Sequence, residues 1–213
     1  MSRAPGSCVD GSVNGEEREL LAALQGGDAL AFDRVYGLYR KRLYGYLVRM
    51  TRCRALAEDL LQETWLRLAV RARDLQADTD LGAWLFTVAR NLFLSEVRRA
   101  MTGAGRLTVE ALGQLKSGNA TPFELASATQ TQRRLEQALL GLPIDQREIL
   151  VLVAVERLEP AQVAQVLGLR PEAARKRLER ARAMLAARLN NEQACGQPAR
   201  RTDARRESGA DHA

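Results

Sequence analysis

Apolar residues recur at three- and four-residue steps through most of this chain and nowhere alternate with polar ones. From Glu16 to about Ala100 the pattern reads as helix almost without interruption. No stretch of alternating β-branched and polar residues bounded by turns appears anywhere, which confines the chain to an all-α fold. Asp28 is placed to cap a long helix whose apolar positions are Phe32, Val35, Tyr36, Tyr39, Leu43, Leu47 and Met50. A second helix is predicted from about Ala55 to Arg73, with Leu60, Leu61, Trp65 and Leu68 on one side. A third runs from about Leu81 to Arg99, with Leu85, Val88, Leu92 and Val97. Three amphipathic stripes of this kind need one another, and they predict one bundle over residues 16–100.

The rest of the organisation follows from the breakers. Residues 1–15 carry Pro5, Gly6, Gly11 and Gly15 with no apolar period and read as a disordered leader. Residues 101–122 are rich in Gly, Ser and Thr and read as a flexible linker, within which Val109 to Leu115 has room for a short helical turn. Helical periodicity resumes near Phe123 and runs to about Leu189. It is broken at Gly141–Pro143, Glu159–Pro160 and Gly168–Pro171, so four short helices are expected in a second, smaller domain over 123–189. Residues 190–213 turn to Gln, Pro, Arg, Asp and Gly with nearly balanced charge, and are expected to form a disordered tail.

Composition excludes several classes of function. The longest apolar run, Ile149 to Val155, falls far short of the roughly 18 residues a membrane span needs, and no signal peptide opens the chain, so no membrane insertion and a cytoplasmic location are expected. Cys8, Cys53 and Cys195 form no CxxC pair and supply neither a disulfide framework nor a zinc site. The only histidine is His212, which removes histidine-based triads and metal sites from the ordered fold. No catalytic residue, metal or cofactor is expected. Basic residues exceed acidic ones by 32 to 26, and 29 of the 32 are arginine. That balance points to a nucleic-acid partner or to codon bias in a GC-rich genome, and composition does not separate the two.

The most specific local signal is VAQVLGLRPEAARKRLERARAML, residues 163–185. Ala164 lets two helices cross closely, Gly168 suits the left-handed turn conformation, and Val163, Leu167, Leu169 and Ala174 supply the apolar contacts of a helix-turn-helix. Pro171 suits the first turn of the second helix. In that helix Ala174, Leu178, Ala181 and Leu185 face the core, leaving Glu172, Arg175, Lys176, Glu179 and Arg180 on the opposite face. Residues 170–188 carry seven basic side chains against two acidic ones. Such a helix fits the major groove, where Arg or Lys reads guanine and Glu accepts from cytosine. The plain alternative is a solvated helix with internal Glu–Arg pairs.

The first domain narrows the choice. AEDLLQETWLRL (57–68) and AWLFTVARNLFLSEVRR (83–99) resemble conserved regions 2.2 to 2.4 of bacterial RNA polymerase sigma factors. LPIDQREILVL (142–152), with the helix-turn-helix, resembles their regions 4.1 and 4.2. The order and spacing are similar to the extracytoplasmic-function (group IV) subfamily of the sigma-70 family over roughly residues 20–189.

The resemblance implies a dissociable promoter-specificity subunit that binds core RNA polymerase and recognises the -35 and -10 elements of promoter DNA. Asp59, Gln62 and Glu63 share one polar helix face opposite Leu61 and Trp65. By resemblance that face docks on the β′ clamp helices, although Glu63–Arg67 also reads simply as an i,i+4 pair. Trp84, Thr87, Asn91, Ser95 and Arg98, with Arg99 beside them, form a ridge that by resemblance reads the -10 element. Arginines there suit phosphates, and Asn and Thr suit base edges. Trp84 also fits an ordinary core position. The loop at residues 73–82 corresponds to the one that captures a flipped base. The resemblance further implies contact of the second domain with the β flap, and an anti-sigma factor as regulator.

Two positions depart from the family pattern. Glu172-Ala173-Ala174 stands where Gly-Thr-Val commonly opens the recognition helix, which removes a hydroxyl and adds a carboxylate near the groove. Leu81 replaces the usual phenylalanine before the AWL motif. The main rival is a stand-alone helix-turn-helix regulator, which leaves the acidic face and the Asn91 ridge without a role. A helical adaptor that never touches DNA leaves the basic helix without one.

Overall fold

The computed structural model describes residues 12–102 and 129–195. The start of the expected leader with Cys8, the linker from Gly103 onward with Val109 to Leu115, the stretch from Phe123 to Ala128, and the tail beyond Cys195 with His212 lie outside the described residues. Among the described residues there are eight α-helices and no strand.

Helix α1 (Ser12–Gln25) begins inside the segment expected to be leader. Helix α2 (Ala29–Thr51) starts where Asp28 accepts a hydrogen bond from the Leu30 N–H at 2.8 Å. It ends at Arg52, whose φ of 56° is left-handed and whose N–H reaches the Val48 carbonyl. Helix α3 (Arg54–Arg71) follows after one residue and closes on a 3-10 turn, Ala72–Asp74. Helix α4 (Leu81–Met101) is capped by Asp80, whose carboxylate accepts from the Ala83 N–H at 2.8 Å.

Helices α2, α3 and α4 pack pairwise, and α1 lies against α2. The expected stripes form their core: Val35, Leu43, Leu47 and Met50 meet Leu60, Leu68, Leu85 and Phe93, all buried. Trp65 packs at 4.9 Å from the Tyr36 ring and edge-on at 6.1 Å from Phe32. Such aromatic contacts contribute roughly 0.5–1.5 kcal/mol each beyond area burial. Leu81 is buried in this core.

The second group holds α5 (Gln130–Leu140), α6 (Ile144–Leu150) continuing into a π turn over Val151–Val155, α7 (Pro160–Leu167) and α8 (Pro171–Cys195). The helix breaks lie where Gly and Pro predict them. Thr129 and Gln132 form a capping box for α5, and Glu159 and Gln162 form another for α7. Helix α8 runs for 25 residues, past the expected end near Leu189. The reason is that no Gly or Pro follows Pro171 until Gly196, and Ala, Arg, Leu, Glu and Gln all favour helix. The two groups touch: α7 packs on α4, and α2 meets α6 and the π turn. No described helix is long and apolar enough to cross a membrane.

Candidate nucleic-acid interface

The helix-turn-helix forms as its residues require. Gly168 takes φ 63° and closes α7 by donating to Ala164 and Gln165 carbonyls, while the Leu169 N–H also reaches the Ala164 carbonyl at 2.9 Å. A Cβ at a left-handed position is strained, which is why glycine sits there. Ala164 and Ala174 are buried at the crossing, and Ala181 is fully buried two helical turns further on. That seating turns Glu172, Arg175, Lys176, Glu179 and Arg180 outward, and all five are exposed. Arg175 lies 3.5 Å from Glu179 in an i,i+4 pair. An exposed pair of this kind holds roughly 0.3–0.5 kcal/mol, whereas a side chain reading the correct base gains about 1–3 kcal/mol. The Arg175–Glu179 pair is therefore too weak to hold the guanidinium against a base contact.

On α4 the expected ridge is continuous but chemically uneven. Asn91, Arg98 and Arg99 are exposed, while Trp84, Thr87 and Ser95 are half-buried. Thr87 donates its hydroxyl to the Ala83 carbonyl at 2.7 Å, and Ser95 donates to that of Asn91 at 2.8 Å. Each hydroxyl therefore offers incoming groups only its acceptor lone pairs. Ser95 already uses its oxygen to hold Arg98, at 3.1 Å. Arg99 reaches the buried Glu96 carboxylate at 2.8 Å, so it also has a structural role in satisfying a charge on the core side of the helix. Trp84 packs against the core with one part of its ring still accessible. In the preceding loop Gln76, Ala77 and Asp78 are exposed, and Gln25 anchors the loop through the Leu75 carbonyl at 2.6 Å.

On α3, Asp59 and Gln62 are exposed and Glu63 is half-buried, opposite the buried Leu61 and Trp65. Glu63 does pair with Arg67, at 3.1 Å. The acidic face is thus present on the surface, and the pair that Glu63 makes there is a weak one. Among the described residues no group of three His, Cys, Asp or Glu is placed to hold a metal ion.

Residues 35–102 match the family model of Sigma-70 region 2, and residues 132–185 match that of Sigma-70 region 4, together more than half of the chain. The chain is 36% identical over 134 residues to the ECF RNA polymerase sigma factor EcfG of Rhodopseudomonas palustris, covering 62% of this chain and 71% of that one. The chain belongs to the extracytoplasmic-function sigma factors. It is also 32% identical over 155 residues to the probable RNA polymerase sigma factor RfaY of Xanthomonas campestris, covering 72% of this chain but only 39% of that longer protein. Its fold resembles the sigma factor RpoE of Bartonella quintana, solved in a co-crystal with the anti-sigma factor NepR. The TM-score is 0.61 at 25% identity, over 75% of this chain and 96% of that one.

The sigma-factor motifs also hold a set of residues to which sequence reasoning gave no role. Within LPIDQREILVL, Arg147 and Glu148 are both buried, and both have partners in region 2. Glu148 accepts from the Tyr46 hydroxyl at 2.8 Å and from Arg90 at 3.0 Å. Arg147 donates to the Arg49 carbonyl near the end of α2, and to the Leu140 and Leu142 carbonyls at the end of α5. One guanidinium thereby serves the negative ends of two helices. Burial, with Arg52 nearby, lowers it to about 10, so it stays charged at neutral pH. Gln162 accepts from the Glu159 N–H and donates to Asp80 at 2.6 Å, joining the caps of α7 and α4. The available signal was the unbroken apolar run Ile149 to Val153 beside two charges. A helix apolar on all sides is buried on all sides.

Proposed function

We propose that this sigma factor docks on core RNA polymerase through Asp59, Gln62 and Glu63, which meet the β′ clamp helices, with region 4 resting on the β flap. In this reading α4 contacts the -10 element through Trp84, Thr87, Asn91, Ser95, Arg98 and Arg99. The exposed face of α8, with Glu172, Arg175, Lys176, Glu179 and Arg180, contacts the -35 element. The protein performs no chemistry itself, works in the cytoplasm, and is held in check by an anti-sigma factor. Functional domains are assigned as 16–100 and 123–189.

One observation carries this reading most directly. The buried Ala174 and Ala181 leave five charged side chains exposed along one side of a helix that a helix-turn-helix presents to the groove. Reconstitution with core polymerase tests it: the sigma factor should support run-off transcription from a defined promoter. A product that depends on neither the protein nor the promoter sequence contradicts the reading. The stand-alone regulator would give shift of duplex DNA by the protein alone and no polymerase-dependent start.

A further inference from the structure

Helix α1 lies wholly before residue 35, where the match to Sigma-70 region 2 begins, and has no part in the contacts proposed above with polymerase or DNA. It is nonetheless seated in the fold. Leu21 and Leu24 are buried, Leu20 and Ala23 pack against the hydrophobic core, and Glu17 accepts from the Tyr39 hydroxyl of α2 at 2.8 Å. Besides α2, α1 packs on the 3-10 turn Ala72–Asp74 that closes α3.

Two contacts run from the end of α1 to the chain that leads into α4. Gln25 donates its side-chain amide to the Leu75 carbonyl at 2.6 Å, across 50 residues of sequence. Gly27 is left-handed at φ 82°, and a Cβ there would lie 3.3 Å from Nη2 of Arg73. The bare glycine therefore lets that guanidinium approach the end of the helix. Helix α1 has no basic residue in its own last turn, and a cation there faces the negative end of the helix dipole.

The segment they reach has few ties of its own. One backbone bond, from the Thr79 N–H to the Gln76 carbonyl at 3.0 Å, closes a turn in it, and Gln76, Ala77 and Asp78 are exposed. Its far end is fixed by Asp80, whose carboxylate caps α4 and also accepts from Gln162. Among the described residues, Gln25 donates the only side-chain hydrogen bond that residues 75–79 receive. A binding loop has to hold its shape to within roughly 0.5 Å. Ordering it before the nucleic acid arrives removes that entropy loss from the binding step.

We propose that α1 is a positioning element for the loop over 75–80, and that Gln25, by holding the Leu75 carbonyl, sets this loop in the shape that receives an unpaired base of the -10 element. Gln25 acts through the backbone of Leu75 and is a positioning residue. The anchoring is independent of the proposed function, while the capture of a base rests on that reading.

Two measurements on the full chain test this. Gln25→Met keeps the length and helix preference of the side chain and removes the donor, while Gln25→Lys restores one. Hydrogen exchange in the free protein, read by mass spectrometry of fragments covering 75–80, should be about fivefold faster in Gln25→Met, the change one ordinary hydrogen bond makes. Gln25→Lys should exchange like wild type, and circular dichroism should be the same for all three. With core polymerase bound, affinity is then measured for single strands of the -10 element carrying an abasic sugar at each position in turn. Wild type should lose most at the position the loop receives. In Gln25→Met that one penalty should shrink about fivefold, the others staying as they are, and Gln25→Lys should regain it. An abasic profile in Gln25→Met that matches wild type, or a uniform loss at every position, overturns the proposal, as does exchange unchanged by the substitution. A wild-type profile with no outstanding position removes the base-capture reading itself and the proposal with it, and is distinguishable because hydrogen exchange is scored without DNA.

Discussion

Arg147 donates to the Arg49 carbonyl at 3.0 Å across the boundary between regions 4 and 2, so a side chain of one domain caps a helix of the other. The same guanidinium serves the Leu140 and Leu142 carbonyls. Replacing Arg147 with Ala strands carbonyls at two helix ends in a buried place and opens a cavity. The expected loss is roughly 3 kcal/mol, given about 1–3 kcal/mol for each buried polar group left unpaired. Arg147→Lys should recover only part of it, because one ammonium lacks the planar fork. Denaturant unfolding followed by circular dichroism measures this, and a loss below about 1 kcal/mol would show that water replaces the guanidinium.

Burial pushes the Glu148 carboxyl up, against the opposing pull of Arg90 and Tyr46. Its folded value then lies above the unfolded one. The associated stability is complete below the ordinary carboxylate range and is lost as pH rises through the elevated folded value. Glu148→Gln removes that loss. The melting temperature of the variant relative to wild type should rise as pH moves from about 4 toward neutrality. A difference that falls over this window would mean that Arg90 outweighs desolvation.

The polymerase-docking face should be separable from folding. Asp59→Lys with Glu63→Lys changes exposed or half-buried surface positions, and the Glu63–Arg67 pair it breaks is worth roughly 0.3–0.5 kcal/mol. Helical content and melting should hardly change, while binding to core polymerase should fall at least tenfold by fluorescence anisotropy. Normal affinity would remove the docking role from this face.

Helix types and breaks were legible in the sequence because local rules set them. Asp28 caps, Gly168 turns and Pro160 and Pro171 open helices whatever the rest of the chain does. The outward face of α8 followed from the spacing of Ala174, Leu178, Ala181 and Leu185. The contact between domains was not legible, since Tyr46 and Glu148 are 102 residues apart and Arg49 and Arg147 are 98 apart. Helical period marks a buried stripe but does not show that a charged residue beside it is buried by another domain. The ridge on α4 was found as a surface, while the donation of Thr87 and Ser95 hydroxyls to their own helix needed coordinates.

That local bonding ranks the ridge. Asn91 and Arg98 are exposed, whereas Thr87 and Ser95 offer only lone pairs. Asn91→Ala and Arg98→Ala should therefore slow open-complex formation more than Thr87→Val does, with -35 recognition kept. Permanganate footprinting of the melted strand reads the effect, and equal footprints for all three variants and wild type would discard the ridge.

The most direct measurement is transcription of a randomised promoter library by core polymerase carrying either the wild-type sigma factor or Arg175→Ala. A lost base contact costs about 1–3 kcal/mol at one position, whereas a lost phosphate contact weakens all sequences alike. The predicted result is relaxed preference at one or two positions of the -35 element with the -10 preference intact. An unchanged -35 profile with uniformly lower output, or a profile that does not depend on the sigma factor at all, would contradict the assignment of α8 as the reader of promoter sequence.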